Sequence, residues 1–202
     1  MILGISGKAG AGKDTIGQML AYFFTPRENY NYKDYVNASN WYPGSKWEHK
    51  YFALPLKEII SDILGCSMSK LNDNDFKKSK IGWLNNMTVR ELLQKFGTGI
   101  RNTVHSDFWV NLLFNDYYED SNWIITDVRF NSEVNKIKDL DGIVIRVNRD
   151  SAGAGNHISE TELDDYKFFD FIITNNGTLE DLFNKVQDLY INLIEDVSSN
   201  RS

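Results

Sequence analysis

Apolar and polar positions along this chain switch repeatedly between the periods of strand and helix. Ile2-Leu-Gly-Ile5 is a short unbroken apolar run, the pattern of a strand buried on both faces. A glycine-rich turn follows, and then Ile16, Met19, Leu20 and Phe23 recur at helical spacing. Lys50 to Leu54 reads as a second strand. Pro55 then opens a helix that carries Leu56, Ile59, Ile60, Ile63 and Leu64, with Gly65 as its stop. Thr88 and Glu91 are spaced as a capping box for a helix through Phe96, which Gly97-Thr98-Gly99 is expected to end. Ser106 to Tyr118 reads as another amphipathic helix, around Phe108, Trp109, Leu112, Leu113 and Tyr117. Asn122 to Asp127 is a third strand, apolar until its carboxyl end. Asn131 is expected to cap a helix through Val134, Ile137 and Leu140, and Asp141-Gly142 is a turn. Ile143 to Val147 and Phe168 to Thr174 supply a fourth and a fifth strand. Thr178 and Asp181 are spaced to cap a last helix, whose stripe from Leu179 to Ile194 is core packing.

Strands alternating with helices imply an α/β fold with a parallel sheet and helices on both faces. The stretch Gly7-Lys8-Ala9-Gly10-Ala11-Gly12-Lys13 lies between the first strand and the first helix, the context a phosphate-binding loop requires. Gly7, Gly10 and Gly12 let the backbone turn tightly and approach a phosphate chain. The loop N–H groups and the positive helix end then face the anion, and Lys13 adds a point charge that reaches β- and γ-phosphates. The alternative is a glycine-rich structural turn. One departure stands out: the usual pattern places Ser or Thr directly after the lysine to hold Mg²⁺, and here Asp14 stands there and Thr15 follows. Thr15 is the candidate metal ligand. Asp14 reads either as a helix cap or as a functional carboxylate. The expected architecture is therefore a three-layer P-loop NTPase fold, with a five-stranded parallel sheet and a lid segment.

Several side chains converge where ligands gather in such sheets, beyond the carboxyl ends of the strands. Asp127, Arg129 and Asn131 follow the third strand. Arg149, Gly153, Gly155, His157 and Glu160 lie in a polar segment at about 148–166 that reads as a lid. Arginine suits phosphate because its planar fork pairs with two oxygens, which makes Arg90, Arg101, Arg129, Arg146 and Arg149 candidates. Arg146, inside a strand, reads as an ion-pair partner. The long aromatic loop at about 25–50, punctuated by Pro26 and Pro43-Gly44, either stacks on a base or covers a neighbouring helix. Lys57 and the lysines of Phe76-Lys-Lys-Ser-Lys80 read as a solvated face or as anion steering.

Composition narrows the classes. With 202 residues there is room for one well-cored domain, with nucleotide-binding insertions at about 25–50 and 66–120. A formal net charge of −6 argues against an extended nucleic-acid surface. Cys66 is alone, so no disulfide framework exists and a reducing cytoplasm fits. The N-terminus shows no signal-peptide pattern, and no apolar run approaches the roughly 18 residues of a membrane span. Residues 198–202 read as a frayed tail. Cys66, His49, His105 and His157 are too scattered for a zinc site, and His157 is expected to be a hydrogen-bond donor in the lid. No Asn-Lys-x-Asp stretch of the GTPase kind and no Leu-Ser-Gly-Gly segment of the transporter kind is present.

Taken together, Gly7-Lys-Ala-Gly-Ala-Gly-Lys-Asp-Thr15, the helix Thr88-Val-Arg-Glu-Leu-Leu-Gln-Lys-Phe-Gly-Thr98 followed by Arg101 and Trp109, Thr126-Asp-Val-Arg-Phe-Asn-Ser-Glu133, and His157-Ile-Ser-Glu160 with Leu163 resemble bacteriophage deoxynucleoside monophosphate kinases. The likeness runs in the same order from residue 1 to about 183. It implies transfer of the ATP γ-phosphate to a dNMP with Mg²⁺, in the cytoplasm of the host cell. Lys13 and the loop amides would hold ATP, Thr15 the metal, and Asp14 the metal's waters or the acceptor phosphate. Arg129 and Arg149 would bridge the two phosphates. Arg90, Gln94, Thr98, Arg101 and Trp109 would line the monophosphate pocket, with Asp127, Arg129 and Glu160 also on the substrate. Gly99 stands where the family often has Glu. Phosphomevalonate kinase of the animal type is similar in the loop, the Asp-x-Arg strand end and the His-x-Ser-Glu lid, so a non-nucleotide phosphate acceptor is the alternative. A non-catalytic ATP-binding protein is the third reading. An exposed face on the last helix would permit a homodimer.

Overall fold

The computed structural model describes residues 1–25, 30–37, 45–153 and 157–199. Pro26, Pro43-Gly44, Gly155 and the tail from residue 200 lie outside the described residues. In chain order the elements are β1 (Ile2–Gly7), α1 (Lys13–Phe24), α2 (Tyr32–Asn37), β2 (Trp47–Lys50), α3 (Leu54–Leu64), α4 (Met68–Asn72), α5 (Asn74–Lys78), β3 (Lys80–Ile81), β4 (Met87–Thr88), α6 (Val89–Thr103), α7 (Phe108–Phe114), β5 (Asn122–Val128), α8 (Asn131–Lys138), β6 (Ile143–Asn148), α9 (Ile158–Thr161), β7 (Phe171–Thr174) and α10 (Leu179–Ser199). They form two units, Met1–Lys50 with Tyr118–Ser202, and Tyr51–Tyr117.

The first unit is built on a five-stranded sheet in the order β2-β5-β1-β6-β7, parallel throughout. This is the α/β architecture expected from the alternation of strands and helices. β1 is buried along its whole length, which is why it reads as an unbroken apolar run. Side chains alternate across the sheet. Leu3, Ile5, Ile124, Ile145 and Val147 share one core with Ile16, Met19 and Leu20 of α1 and with Leu182, Val186, Leu189 and Leu193 of α10. Ile2, Ile125 and Val144 are out of phase with that set, and α8 packs there against β1 and β6 through Ile137. Each such buried aliphatic side chain contributes about 1.5–3 kcal/mol of burial free energy. Because the strands are parallel, the carboxyl ends of β1, β5, β6 and β7 lie at one edge of the sheet.

Several boundaries differ from the sequence reading. The second strand is Trp47–Lys50, not Lys50–Leu54; Leu54 already begins α3, with Pro55 in its first turn. β2 is an edge strand paired only with β5, so Glu48, His49 and Lys50 sit where polar residues are tolerated, and no apolar run marks it. The fifth strand starts at Phe171, after the Phe168-Phe169 pair. Asn131 is the first residue of α8 rather than its cap: its amide donates to Glu162 Oε1 at 2.8 Å, and the start of α8 is held by Glu133, whose Oε2 accepts from Arg129 N at 2.7 Å and Phe130 N at 3.1 Å.

The second unit packs α3 to α6 around Ile60, Leu71, Ile81 and Val89, with an antiparallel β3–β4 hairpin. The Thr88/Glu91 capping box is present. Gly97-Thr98-Gly99 does not end the helix, which runs on to Thr103. Gly97 is there for packing: a Cβ would stand 3.1 Å from Leu56 Cδ2 of α3, and the exposed carbonyl of Gly97 accepts from Trp109 Nε1 at 3.0 Å. Among the described residues, no helix is long and apolar enough to cross a membrane.

Candidate active site

The glycine loop leaves the carboxyl end of β1 and feeds directly into α1. Gly10 and Gly12 adopt φ of 80° and 99°, conformations that side-chain-bearing residues rarely take. Gly12 is also sterically required, since a Cβ would stand 2.6 Å from Asn175 Nδ2. That amide, at the end of β7, donates to Ala11 O at 2.9 Å and pins the loop from below. Gly12 occupies the cap position of α1, and no side chain caps this helix start. Its first N–H groups are therefore available to an outside anion. Lys13 is buried, and its Nζ donates to Lys8 O at 2.9 Å. Burial, followed by the nearby Arg129 charge, pushes its pKa down to about 8 against the pull of Asp14, Glu160 and Asp127.

The other strand ends add charge in alternating sign. Arg129, just after β5, donates through Nη1 to Ser159 O at 3.1 Å and pairs with Glu160. The other oxygen of Glu160 accepts from Ala9 N at 3.0 Å, so one carboxylate holds both a loop amide and a guanidinium. Beyond β6, Arg149 reaches Gly10 O at 3.5 Å, and Gly153 N donates to Ala9 O at 3.0 Å. Arg146 is the ion-pair partner expected of it: Nη2 lies 3.2 Å from Asp164 Oδ1 while Nη1 donates to Ser6 Oγ at 3.1 Å. Asp164 also takes Lys8 Nζ at 2.9 Å. Arg129, Arg146, Ser6 and Glu160 line a small open pocket beside the loop.

Asp14 is not a helix cap. It is the second residue of α1, and its Oδ1 accepts from Thr126 Oγ1 at 2.5 Å. Thr126 is in turn 2.8 Å from His49 Nε2. Burial keeps His49 well below the ordinary histidine pKa, against the opposing pull of Asp14. Neither His49 nor Thr126 stands out as a site residue in the sequence, because the two are 77 positions apart and belong to adjacent strands. Ser6, Asp164 and Asn175 are equally unmarked. The signal for Thr126 is its place beside Asp127 at the end of an apolar strand. His157, inside the expected lid segment, caps α9: its Nδ1 accepts from Ser159 N at 3.2 Å.

The remaining candidates lie in the second unit. Arg90, Gln94, Thr98 and Arg101 are spaced by four, four and three residues along α6, which aligns them on one side of a single helix. The continuation of α6 past Gly97 is what brings Arg101 into that row. Arg101 Nη1 donates to Ser106 O at 3.3 Å, and Trp109 is buried with its indole N–H on Gly97. Lys57 donates to Asn72 Oδ1 at 2.9 Å, and Lys78 pairs with Asp75 at 2.9 Å on an exposed turn.

Comparison with known proteins places this geometry. A sequence profile described as deoxynucleotide monophosphate kinase matches residues 46–186. The chain belongs to the deoxynucleotide monophosphate kinase family. It is a kinase, as the family name states. Among similar proteins, one of Acanthamoeba polyphaga mimivirus, provisionally assigned the same name, is 28% identical over 155 residues, covering 68% of this chain and 79% of the relative. The deoxynucleotide monophosphate kinase of Enterobacteria phage T4 is 33% identical over 108 residues, and that of Escherichia phage RB69 is 30% identical over 109. These two matches take in 50% of this chain and 44% of each phage protein, so the chain aligns with under half of their length. The profile match begins after the glycine loop, whose reading rests on its own geometry.

Proposed function

We propose that this chain transfers the γ-phosphoryl group of ATP to a deoxynucleoside monophosphate, giving ADP and a deoxynucleoside diphosphate. The observation that carries the reading is the seat of the Glu160 carboxylate, held at once by the Ala9 amide and by Arg129. An anion in that position is gripped by the glycine loop and by a guanidinium from the neighbouring strand end. Phosphoryl transfer asks for this: positioning of two phosphates and neutralisation of charge on the transferring group, with little covalent chemistry left to the protein. Phosphate binding at Ala9 requires Glu160 to release the amide, which frees Arg129 to follow the anion.

In this reading Gly7 to Thr15 cradle the donor phosphates, with Lys8, Ala9, Ala11 and the glycines contributing backbone N–H groups and Lys13 its charge. Arg129 and Arg149 span donor and acceptor phosphates. In the second unit, Arg90, Gln94, Thr98 and Arg101 are the candidates for the monophosphate, in a row on α6 that Trp109 supports; in the first unit, Asp127 and Glu160 are the candidate substrate contacts. The hydroxyl of Thr15 and the carboxylates of Asp14 and Asp127 are hard oxygen donors, which fit Mg²⁺ arriving with ATP and keeping several waters. The ion would neutralise charge on the β- and γ-phosphates. The acceptor phosphate is already ionised, so no general base is needed.

The test is a coupled ADP-release assay with Mg-ATP against dAMP, dGMP, dCMP, dTMP and their ribose counterparts. Turnover that depends on an added dNMP is the expected result. Silence with every nucleotide, from protein that still binds ATP, would overturn the proposal and move the acceptor to a non-nucleotide phosphate.

A further inference from the structure

The chain His49–Thr126–Asp14 lies next to the glycine loop and is built from three elements. His49 comes from the edge strand β2, Thr126 from β5, and Asp14 from the first turn of α1. Its directions can be worked out from donor counts. A carboxylate accepts only, so the 2.5 Å contact uses the single hydroxyl proton of Thr126 toward Asp14 Oδ1. That hydroxyl then has only lone pairs to offer His49 Nε2, 2.8 Å away, so Nε2 must carry the hydrogen. The relay runs imidazole N–H to hydroxyl to carboxylate, each bond polarising the next. Thr126 is necessary as the middle member, because His49 Nε2 lies 3.9 Å from Asp14 Oδ1, beyond a direct hydrogen bond.

Burial sharpens the arrangement. Thr126 is 1% exposed and the His49 side chain 10%, whereas the Asp14 side chain is 71% exposed. Two rigid, buried groups thus hold one oxygen of an otherwise solvent-facing carboxylate. Oδ2 is the oxygen best placed to meet a ligand. A second anion beside nucleotide phosphates repels them, so the partner for Oδ2 is a cation or its water shell. The neighbouring charged groups are Lys13, which Asp14 keeps more basic than burial alone would leave it, with Asp127 and Glu160 acting in the same direction and Arg129 against them.

We propose that His49 and Thr126 are positioning residues that lock the Asp14 carboxylate, so that its Oδ2 faces the waters of the divalent cation bound with the nucleotide. The inference rests on the kinase reading for the identity of that cation's carrier. It explains how an aspartate can stand where the usual loop pattern has a hydroxyl: the Thr126 hydroxyl fixes the carboxylate, and the carboxylate is the group presented.

The experiment uses the full chain as wild type, Thr126→Val, Thr126→Ser and His49→Gln. Four quantities are measured: the Mg²⁺ concentration for half-maximal turnover, the KM for dNMP, Mn²⁺-ATP affinity by electron paramagnetic resonance, and the tautomer of His49 by nitrogen-15 NMR. Thr126→Val keeps shape but removes the hydroxyl, and should weaken metal dependence and Mn²⁺-ATP affinity about 10-fold or more, with KM for dNMP within about 2-fold. Thr126→Ser and His49→Gln, which keep a hydroxyl and a side-chain N–H, should recover most of that loss. Wild-type His49 should show hydrogen on Nε2. Unchanged metal affinity in Thr126→Val, or hydrogen on Nδ1 alone, would overturn the relay. If wild type fails to turn over any dNMP, the kinase reading fails, while the Mn²⁺-ATP affinities still decide the relay. Should Thr126→Val not fold, the tautomer decides it, hydrogen on Nδ1 alone overturning the relay.

Discussion

The starts of α1 and α10 solve the same problem in opposite ways. At α10, Thr178 Oγ1 accepts from Asp181 N at 3.2 Å, and Asp181 Oδ2 accepts from Thr178 N at 2.8 Å. The helix thereby satisfies its own first donors, as α6 does through Thr88 and Glu91. At α1 the cap is Gly12, in a left-handed conformation with no side-chain acceptor, and the one carboxylate of the first turn turns away to Thr126. A cap of the α10 kind is worth about 1 kcal/mol, and α1 forgoes it. It also buries a lysine in the same turn. The stability that α1 gives up is held elsewhere, in the apolar face it shares with β1 and α10. A helix start denied to its own side chains, on a scaffold that can bear the loss, supports the proposed anion-binding role of this turn.

The sharpest way to break this contrast is Lys13→Met. Lysine contacts of this kind act mainly on the transition state, so turnover should fall about 10²–10³-fold. Stability should move the other way. The lysine pKa falls from 10.5 to about 8 on folding. Because the folded value is the lower one, charge on Lys13 opposes folding at every pH below about 8, and that cost fades as pH rises from there toward 10.5. The difference corresponds to about 3 kcal/mol, of which the lost bond to Lys8 O returns roughly 1. A methionine of similar length should therefore raise the Tm of the nucleotide-free protein by about 4–8 °C. A lowered Tm, or turnover near that of wild type, would refute the view that α1 trades stability for anion binding.

How much of this can be read from residues alone follows from chain distance. The loop is legible because strand, glycines and helix are contiguous, and their roles are local. The capping boxes at Thr88 and Thr178 are legible for the same reason. Arg146 reads as an ion-pair partner, and Asp164, 18 residues on, is where the structure places the pair. What stays hidden is set by tertiary contact. β2 is displaced from its expected position because an edge strand needs no apolar run. Gly97 mimics a helix stop because close packing against Leu56 leaves no mark in a helical pattern. His49 is invisible because its partner hydroxyl lies on another strand, and nothing in either segment refers to the other.

A second, smaller break is Gly12→Ala. A side chain there is strained at a φ of 99° and meets Asn175 Nδ2 at 2.6 Å, so Asn175 must give up its bond to Ala11 O. The expected cost is about 1–3 kcal/mol in urea unfolding, together with loss of ATP affinity by titration calorimetry. Thr178→Ala, the matching change at α10, should cost about 1 kcal/mol and leave kcat and KM untouched. If the two substitutions had the same effect on ATP affinity, the two helix starts would not differ in function.

The least effect, and the one that isolates the capped starts, is in acid. The N–H and hydroxyl of Thr178 hold the Asp181 carboxyl below its ordinary value of 3.8, and those of Thr88 do the same for Glu91 below 4.5. Both folded values are the lower ones, so the unfolded chain binds the proton first as pH falls. The stabilisation is fully present above the unfolded values and drains away as pH drops through the folded ones. Urea unfolding of wild type and of the double variant Glu91→Gln, Asp181→Asn should therefore differ at pH 7 and converge as pH falls through the folded values, which lie below 3.8 and 4.5, since protonated carboxyls can no longer discriminate the two. Thr178→Ala should remove only the smaller part of the Asp181 contribution, because the backbone N–H, the larger cause of the depression, survives the substitution. A gap that persisted unchanged once both carboxyls are protonated in the folded chain would mean that these groups support the helix starts through packing and not through their charge.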